Sequence, residues 1–353
     1  MGDLQGPKIR IGKFKNGPIL LKPSDTFVLD AALDLDEGTQ ESVGLTYRDL
    51  PNDVKPGDLL LLDDGRIQLA VTKVEETRII TTVIVAGPLS NNKGINKKGG
   101  GLSAPALTAK DKQDIKYAAQ LEVDYIAVSF PRCGKDLEEA RRLLREAGSN
   151  AAIVAKVERA EAVASEEAMR DVVMASDAVM VARGDLGVEI GDANLMSVQK
   201  RLINFARGLD RAVITATQMM ESMIKSPMET VRAMSEVCKG AESQVKKSGY
   251  RADRMFSNAE ETIAVSSMFA ANHLEGIHGL IAFTDSGHLP LLMSRYRSGL
   301  PIYAFSRNEP SVRRMCMYRG VTPYFFDNLA YNDRDELLKE VVKFLINKGQ
   351  VKS

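Results

Sequence analysis

Four apolar runs in the middle of the chain end on residues that can do chemistry. DYIAVSF ends on Ser129, with Arg132 just beyond; AIVAKVE ends on Lys156 and Glu158; AVMVARGDLG ends on Gly184 and Asp185; AVITATQ ends on Thr217. Residues two apart on a strand point to the same face, so Lys156 and Glu158 would project into one site. Two carboxylates, Glu158 and Asp185, suit Mg²⁺, which takes one or two protein carboxylates and leaves its other positions to water and substrate oxygens. A lysine fixed beside such a metal suits a phosphoryl group in flight, whose charge must be neutralised as it transfers. Gly184 permits close backbone approach, and a helix starting after GDLGVEI would offer free N–H groups to a carboxylate or phosphate. Each residue alone has a plainer reading. A Lys-x-Glu pair can be a solvated face or an ion pair, an Asp after a strand a turn or cap residue, Thr217 a packing residue, and Ser129 and Arg132 strand-end structure.

The elements that must hold these residues are legible in outline. Amphipathic segments such as KDLEEARRLLREA and NLMSVQKRLINFARGL separate the four runs. Regular strand–helix alternation predicts parallel strands joined by right-handed crossovers, which make either a barrel or a doubly wound sheet. In a barrel, the carboxyl ends of the strands build the site, which would gather Lys156, Glu158, Asp185 and Thr217 at one mouth. The first hundred residues have a different texture. KIRIGKF, PILL, TFVLD, SVGLT, DLLLLDD, RIQLAVTKV and TRIITTVIVAG are short β-branched runs separated by turn signals such as NGP and DDG. They predict a small β-barrel or sandwich over residues 8–104, ending at a flexible NNKGINKKGGGLS. From residue 258 onward, GLIAFTD, LPIYAFS and VTPYFFD alternate with helical segments and predict a separate open α/β domain.

Composition narrows the class. Lys+Arg and Asp+Glu both total 47 in 353 residues, a neutral balance that argues against a nucleic-acid or anionic-membrane partner. The cysteines Cys133, Cys238 and Cys316 are far apart with no CxxC, so neither a zinc site nor a disulfide framework is expected. No run reaches membrane-spanning length and no signal-like segment opens the sequence, and we expect a cytoplasmic protein.

GDLQGPKIR, IVAKVERAEAV, VMVARGDLGVEI and AVITATQMMESM, in this order, resemble the pyruvate kinase family of bacterial type. The resemblance covers essentially the whole chain. It implies a TIM-type (β/α)8 barrel with an inserted all-β lid and a C-terminal open α/β domain. It also implies Mg-dependent phosphoryl transfer from phosphoenolpyruvate to ADP, giving pyruvate and ATP. Glu158 and Asp185 would hold the divalent metal, Mg²⁺ or Mn²⁺, and Lys156 would stabilise the transferring phosphoryl and nascent enolate. Thr217 would assist protonation of the enolate through water, and the Gly184 and Asp185 amides would receive the substrate carboxylate. Arg10 and Lys93 would reach the nucleotide phosphates from the lid, and Asp3 would lie by the monovalent-cation region. Lys8 stands where potassium-dependent members carry glutamate, and Leu4 where they carry threonine. A fixed ammonium can replace a bound K⁺, so K⁺ is not expected to be required. FTDSG (283–287) and FSRNE (305–309) end strands of the C-terminal domain, where the family takes phosphorylated effectors; a homotetramer is likewise implied.

The family pattern also implies missing parts. The chain would start at the third barrel strand, Gly2-Asp3-Leu4, skip a strand and helix between Met228 and Glu229, and stop short of the family's last strands after Lys348-Gly349. The expected partition is residues 1–7 and 105–242 for the barrel, 8–104 for the lid and 258–353 for the C-terminal domain, with five of the eight barrel strands present. Two alternatives accompany this reading: a catalytically inactive fragment serving as a regulatory or assembly partner, and a metal-dependent lyase acting on pyruvate-like substrates.

Overall fold

The structure is a computed structural model that describes residues 1–216, 256, 258–296, 298–327 and 333–351, with positions 228, 231, 232, 234–236 and 238 besides. Strand β1 (Gly2–Asp3) opens the chain and pairs in parallel with Ile126 and Ala127, far along the sequence. Between them lies an all-β module. Its strands are β2 (Ile19–Leu21), β3 (Thr26–Asp30), β4 (Ser42–Gly44), β5 (Leu59–Leu62), β6 (Ile67–Glu75), β7 (Arg78–Val85), β8 (Gly87–Leu89) and β9 (Ile95–Lys97). Six form one sheet in the order β4-β3-β7-β6-β5-β9, and β2 pairs separately with β8. Period-2 patterning sets which face is inside: Ile67, Leu69 and Val71 of β6 are buried together with Ile79, Thr81 and Val83 of β7. They pack with Phe27, Leu29, Leu60 and Leu62 in one core.

Two sequence expectations fail here. KIRIGKF is not a strand: it makes only isolated bridges, Arg10 to Gly94, Ile11 to Leu45 and Phe14 to Gly38. Its backbone serves several segments in turn as the chain leaves the barrel, and a ladder with one neighbour cannot form. NNKGINKKGGGLS is not a loose tail either. Residues 95–97 form β9 against β5, with Ile95 and Asn96 buried, and the segment turns through Gly99, Gly100 and Gly101, all at positive φ.

After the module the chain lays down β10 (Tyr125–Val128), β11 (Ala152–Val157), β12 (Ala178–Ala182) and β13 (Ala212–Ala216). With β1 they make a sheet in the order β1-β10-β11-β12-β13, parallel throughout. Every residue of β10 is buried, as expected of parallel strands covered on both faces. The helices Ala109–Gln120, Gly134–Glu146, Glu166–Ala175 and Asp192–Gly208 fall between the strands. The first starts at a capping box in which Thr108 and Asp111 bond each other's backbone. This is the (β/α)8 barrel pattern, five strands of it among the described residues.

The chain divides into two compact units, Met1–Met219 and Met220–Ser353. In the second, β14 (Leu280–Phe283), β15 (Ile302–Ser306) and β16 (Val321–Phe325) are parallel and adjacent, with helices Ala259–His273, His288–Ser294, Glu309–Met315 and Arg334–Asn347 around them. Phe305 anchors this open α/β sheet, its ring against Tyr324, Phe326 and Phe344. No helix among the described residues is long and apolar enough to cross a membrane.

Candidate active site

The carboxyl ends of β1, β10 and β11 converge on one ammonium. Lys156, near the end of β11, lies 2.8 Å from Ser129 Oγ, 3.2 Å from Asp3 Oδ1 and 3.4 Å from Glu158 Oε1. Ser129 in turn donates to Leu4 O at 2.8 Å, which ties the end of β10 to β1. Gly6, at positive φ, passes so close that a Cβ would sit 2.9 Å from the Cβ of Ser129. Burial alone would lower the Lys156 pKa, but Glu158 and Asp3 more than offset this and raise it, so the charge is kept.

Glu158 is almost fully buried, and Phe130 N–H donates to its Oε2 at 2.8 Å. Phe130 adopts φ +56 to make that bond. Burial pushes Glu158 up to about 7, with Asp185 adding to the rise and Lys156 only partly opposing it. Asp185 accepts an ion pair from Lys8 Nζ at 3.2 Å. Its backbone lies in a helix over Arg183–Ile190, which corrects the expectation of a helix starting only after GDLGVEI. The apolar β12 therefore runs straight into the first helical turn, and Gly184 and Asp185 occupy positions whose amides lack intrahelical partners.

Two carboxylates close enough for the charge of Asp185 to raise the pKa of the buried Glu158 suit a hard divalent cation. No cluster of three or more acidic, histidine or cysteine ligands occurs among the described residues, so the remaining coordination would come from substrate and water. Lys156, Glu158, Asp185, Asp3 and Lys8 are thus brought together. Thr217 lies outside the described residues. Arg10 and Lys93 sit on the all-β module, where Arg10 Nη1 donates to Asn92 O and Lys93 pairs with Asp63 at 2.8 Å.

The sequence reading missed the residues that join the module to the barrel loops. Glu189 is buried and accepts from Ala160 N–H at 2.8 Å, while Arg159 donates to Leu102 O at 2.7 Å and Glu161 accepts from Gly101 N–H at 2.6 Å. Burial pushes Glu189 up to about 7 despite the Ala160 N–H and the Arg159 charge. The run of three glycines, Gly99–Gly101, is the signal in the sequence, since all three take positive φ and Gly100 passes close to Glu161.

Residues 1–243 match the family model described as pyruvate kinase, barrel domain, and residues 261–353 match pyruvate kinase, alpha/beta domain. The chain belongs to the pyruvate kinase family. It is 54% identical over 388 residues to pyruvate kinase II of Salmonella typhimurium, covering 100% of this chain and 80% of that one. It is 54% identical over 360 residues to the pyruvate kinase of Haemophilus influenzae, covering 92% of this chain and 75% of that one. A crystal structure of a pyruvate kinase from Cryptosporidium parvum superposes with a TM-score of 0.87 at 25% identity, over 99% of this chain and 79% of that one. Membership makes the protein a phosphotransferase that moves the phosphoryl group of phosphoenolpyruvate to ADP, a step of glycolysis, with a divalent metal. It also counts against the lyase alternative.

Proposed function

We propose that Lys156, Glu158 and Asp185 are the phosphoryl-transfer centre of this pyruvate kinase and that its metal is Mg²⁺ or Mn²⁺. The observation that carries the reading is the Lys156 ammonium, held charged among Ser129, Asp3 and Glu158 at the mouth of the barrel. A fixed positive charge there stabilises the phosphoryl oxygens and the enolate left behind, without reorganisation during the step. Glu158 and Asp185 would hold the divalent ion, which when bound neutralises charge on the reacting oxygens. The free amides at Gly184 and Asp185 receive the substrate carboxylate at the helix start. Thr217 assists enolate protonation. Arg10 and Lys93 take the nucleotide phosphates, Lys93 exchanging Asp63 for phosphate as ADP arrives. Closing the all-β module as a lid keeps water from intercepting the phosphoryl group.

Lys8 supplies the charge a K⁺ would bring, supported by its ammonium lying 3.2 Å from Asp185, with Asp3 nearby at Lys156. In the C-terminal unit a phosphorylated effector is the ligand we assign to the loops after β14 and β15. Arg307 pairs with Asp285 and Ser311 donates to Asp285 O, which supports one common mouth for both loops. A cytoplasmic homotetramer completes the reading, with domains at 1–7 and 105–242, 8–104, and 258–353. The direct test is Mn²⁺ binding: Glu158→Gln and Asp185→Asn should each weaken it at least tenfold. Undiminished binding in both would sink the metal assignment.

A further inference from the structure

Glu189 stands where the lid meets both segments that carry the proposed metal ligands. It lies one helical turn beyond Asp185, so the two share a face of the helix Arg183–Ile190. Its Oε2 accepts from the amide of Ala160, two residues past Glu158. Its Oε1 faces Asn96 Nδ2 of β9 at 3.5 Å, and its carbonyl accepts from Gly99 N–H at 3.0 Å. One side chain and its own backbone therefore bond the Glu158 loop, the Asp185 helix and the returning strand of the lid.

The neighbouring bonds point the same way. Glu161 Oε1 accepts from Gly101 N–H, and Arg159 Nη2 reaches Leu102 O. Arg159 and Glu161 also pair with each other at 3.6 Å. A Cβ on Gly100 would sit 2.6 Å from Glu161 Oε2, so the lid's exit turn is moulded onto this loop. Asn96 and Glu189 are both buried.

We infer that Glu189, with Asn96 opposite it, is a positioning residue that couples the lid's return strand to the Glu158 and Asp185 segments. Moving the lid then shifts the metal ligands, and loading the metal tightens the lid hinge. The inference rests on Glu158 and Asp185 being the metal ligands. Groups that bond and orient ligating side chains or their loops change metal affinity or activity by about 10–100-fold when removed.

The test follows three readouts on the full chain: Mn²⁺ binding from the free-ion EPR signal, deuterium uptake of residues 96–103, and kcat with KM for ADP. In the parent protein, Mn²⁺ should slow uptake across 96–103. Glu189→Ala should bind Mn²⁺ about tenfold more weakly, lose that slowing, and lower kcat. Glu189→Gln keeps an acceptor for Ala160 N–H and a rotated Asn96 can meet its amide, so it should retain all three properties. Asn96→Ala, on the lid strand β9, should lose the slowing and raise KM for ADP; it carries the test if Glu189→Ala does not fold. The outcomes separate the two claims. If Glu158→Gln abolishes Mn²⁺ binding while Glu189→Ala and Asn96→Ala keep the Mn²⁺-dependent slowing, the coupling is refuted and the metal site stands. If Glu158→Gln and Asp185→Asn bind Mn²⁺ normally, the metal site itself is refuted, and the coupling falls with it.

Discussion

At the residue scale, the site is a balance of buried charges. If, as proposed, Lys8 replaces a mobile cation with a tethered one, added K⁺ should leave the initial rate of the parent enzyme unchanged. Lys8→Ala should lower kcat by about tenfold or more, because Asp185 loses its fixed partner at 3.2 Å. Parallel rate assays with and without K⁺ check both expectations; a many-fold activation of the parent by K⁺ would contradict the role given to Lys8. Glu189 makes a pH prediction. Its carboxyl titrates near 4.5 when unfolded and is pushed up to about 7 by burial in the folded chain. The folded state therefore holds the proton more tightly. This group's contribution to stability is fully present below pH 4.5 and is lost as the pH rises through 7, a change of roughly 3 kcal/mol. Urea unfolding of Glu189→Gln beside the parent should show the parent losing stability relative to the variant over that window. A constant difference between them would contradict the buried, proton-holding state of Glu189.

At the element scale, junctions matter more than the strands themselves. Asp111 is buried at the start of the helix Ala109–Gln120, where Oδ2 accepts from Thr108 N–H and Oγ–H and Oδ1 from Gly6 N–H at 3.2 Å. It thus caps the helix after the lid and fixes the turn before it. Asp111→Ala should cost about 2–4 kcal/mol in urea unfolding, since it removes a cap and leaves buried donors unpaired. Gly100→Ala should cost about 1–2 kcal/mol, from φ +77 and the clash with Glu161. The proposed catalytic set was legible because each member ends an apolar run, and strand ends are where a parallel barrel places chemistry. Period-2 spacing put Lys156 and Glu158 on one face, and the family resemblance supplied their roles. The lid anchors were not legible. Glu189 and Arg159 look like ordinary charged residues of a helix and a loop, and their lid partners, the Asn96 side chain and the Leu102 carbonyl, are more than fifty residues away in sequence.

At the scale of the whole molecule, composition excluded much and chose little. Neutral charge and scattered cysteines fit thousands of enzymes; strand–helix alternation left barrel and doubly wound sheet equally open. The all-β texture before residue 104 was readable, but KIRIGKF was misread because its β-branched spacing serves three neighbours rather than one ladder. The start of the helix at Arg183 was hidden for a related reason. β12 hands its last apolar residue directly to the helix, with no side-chain cap to mark the boundary. The central claim is that phosphoryl transfer runs through the ammonium at position 156. The measurement that tests it most directly is phosphoenolpyruvate-dependent ATP formation from ADP and Mg²⁺ by the parent protein and Lys156→Ala. The account predicts a loss of at least about a thousandfold in kcat with the fold intact by circular dichroism. A Lys156→Ala enzyme that turns over at the parent's rate would contradict it.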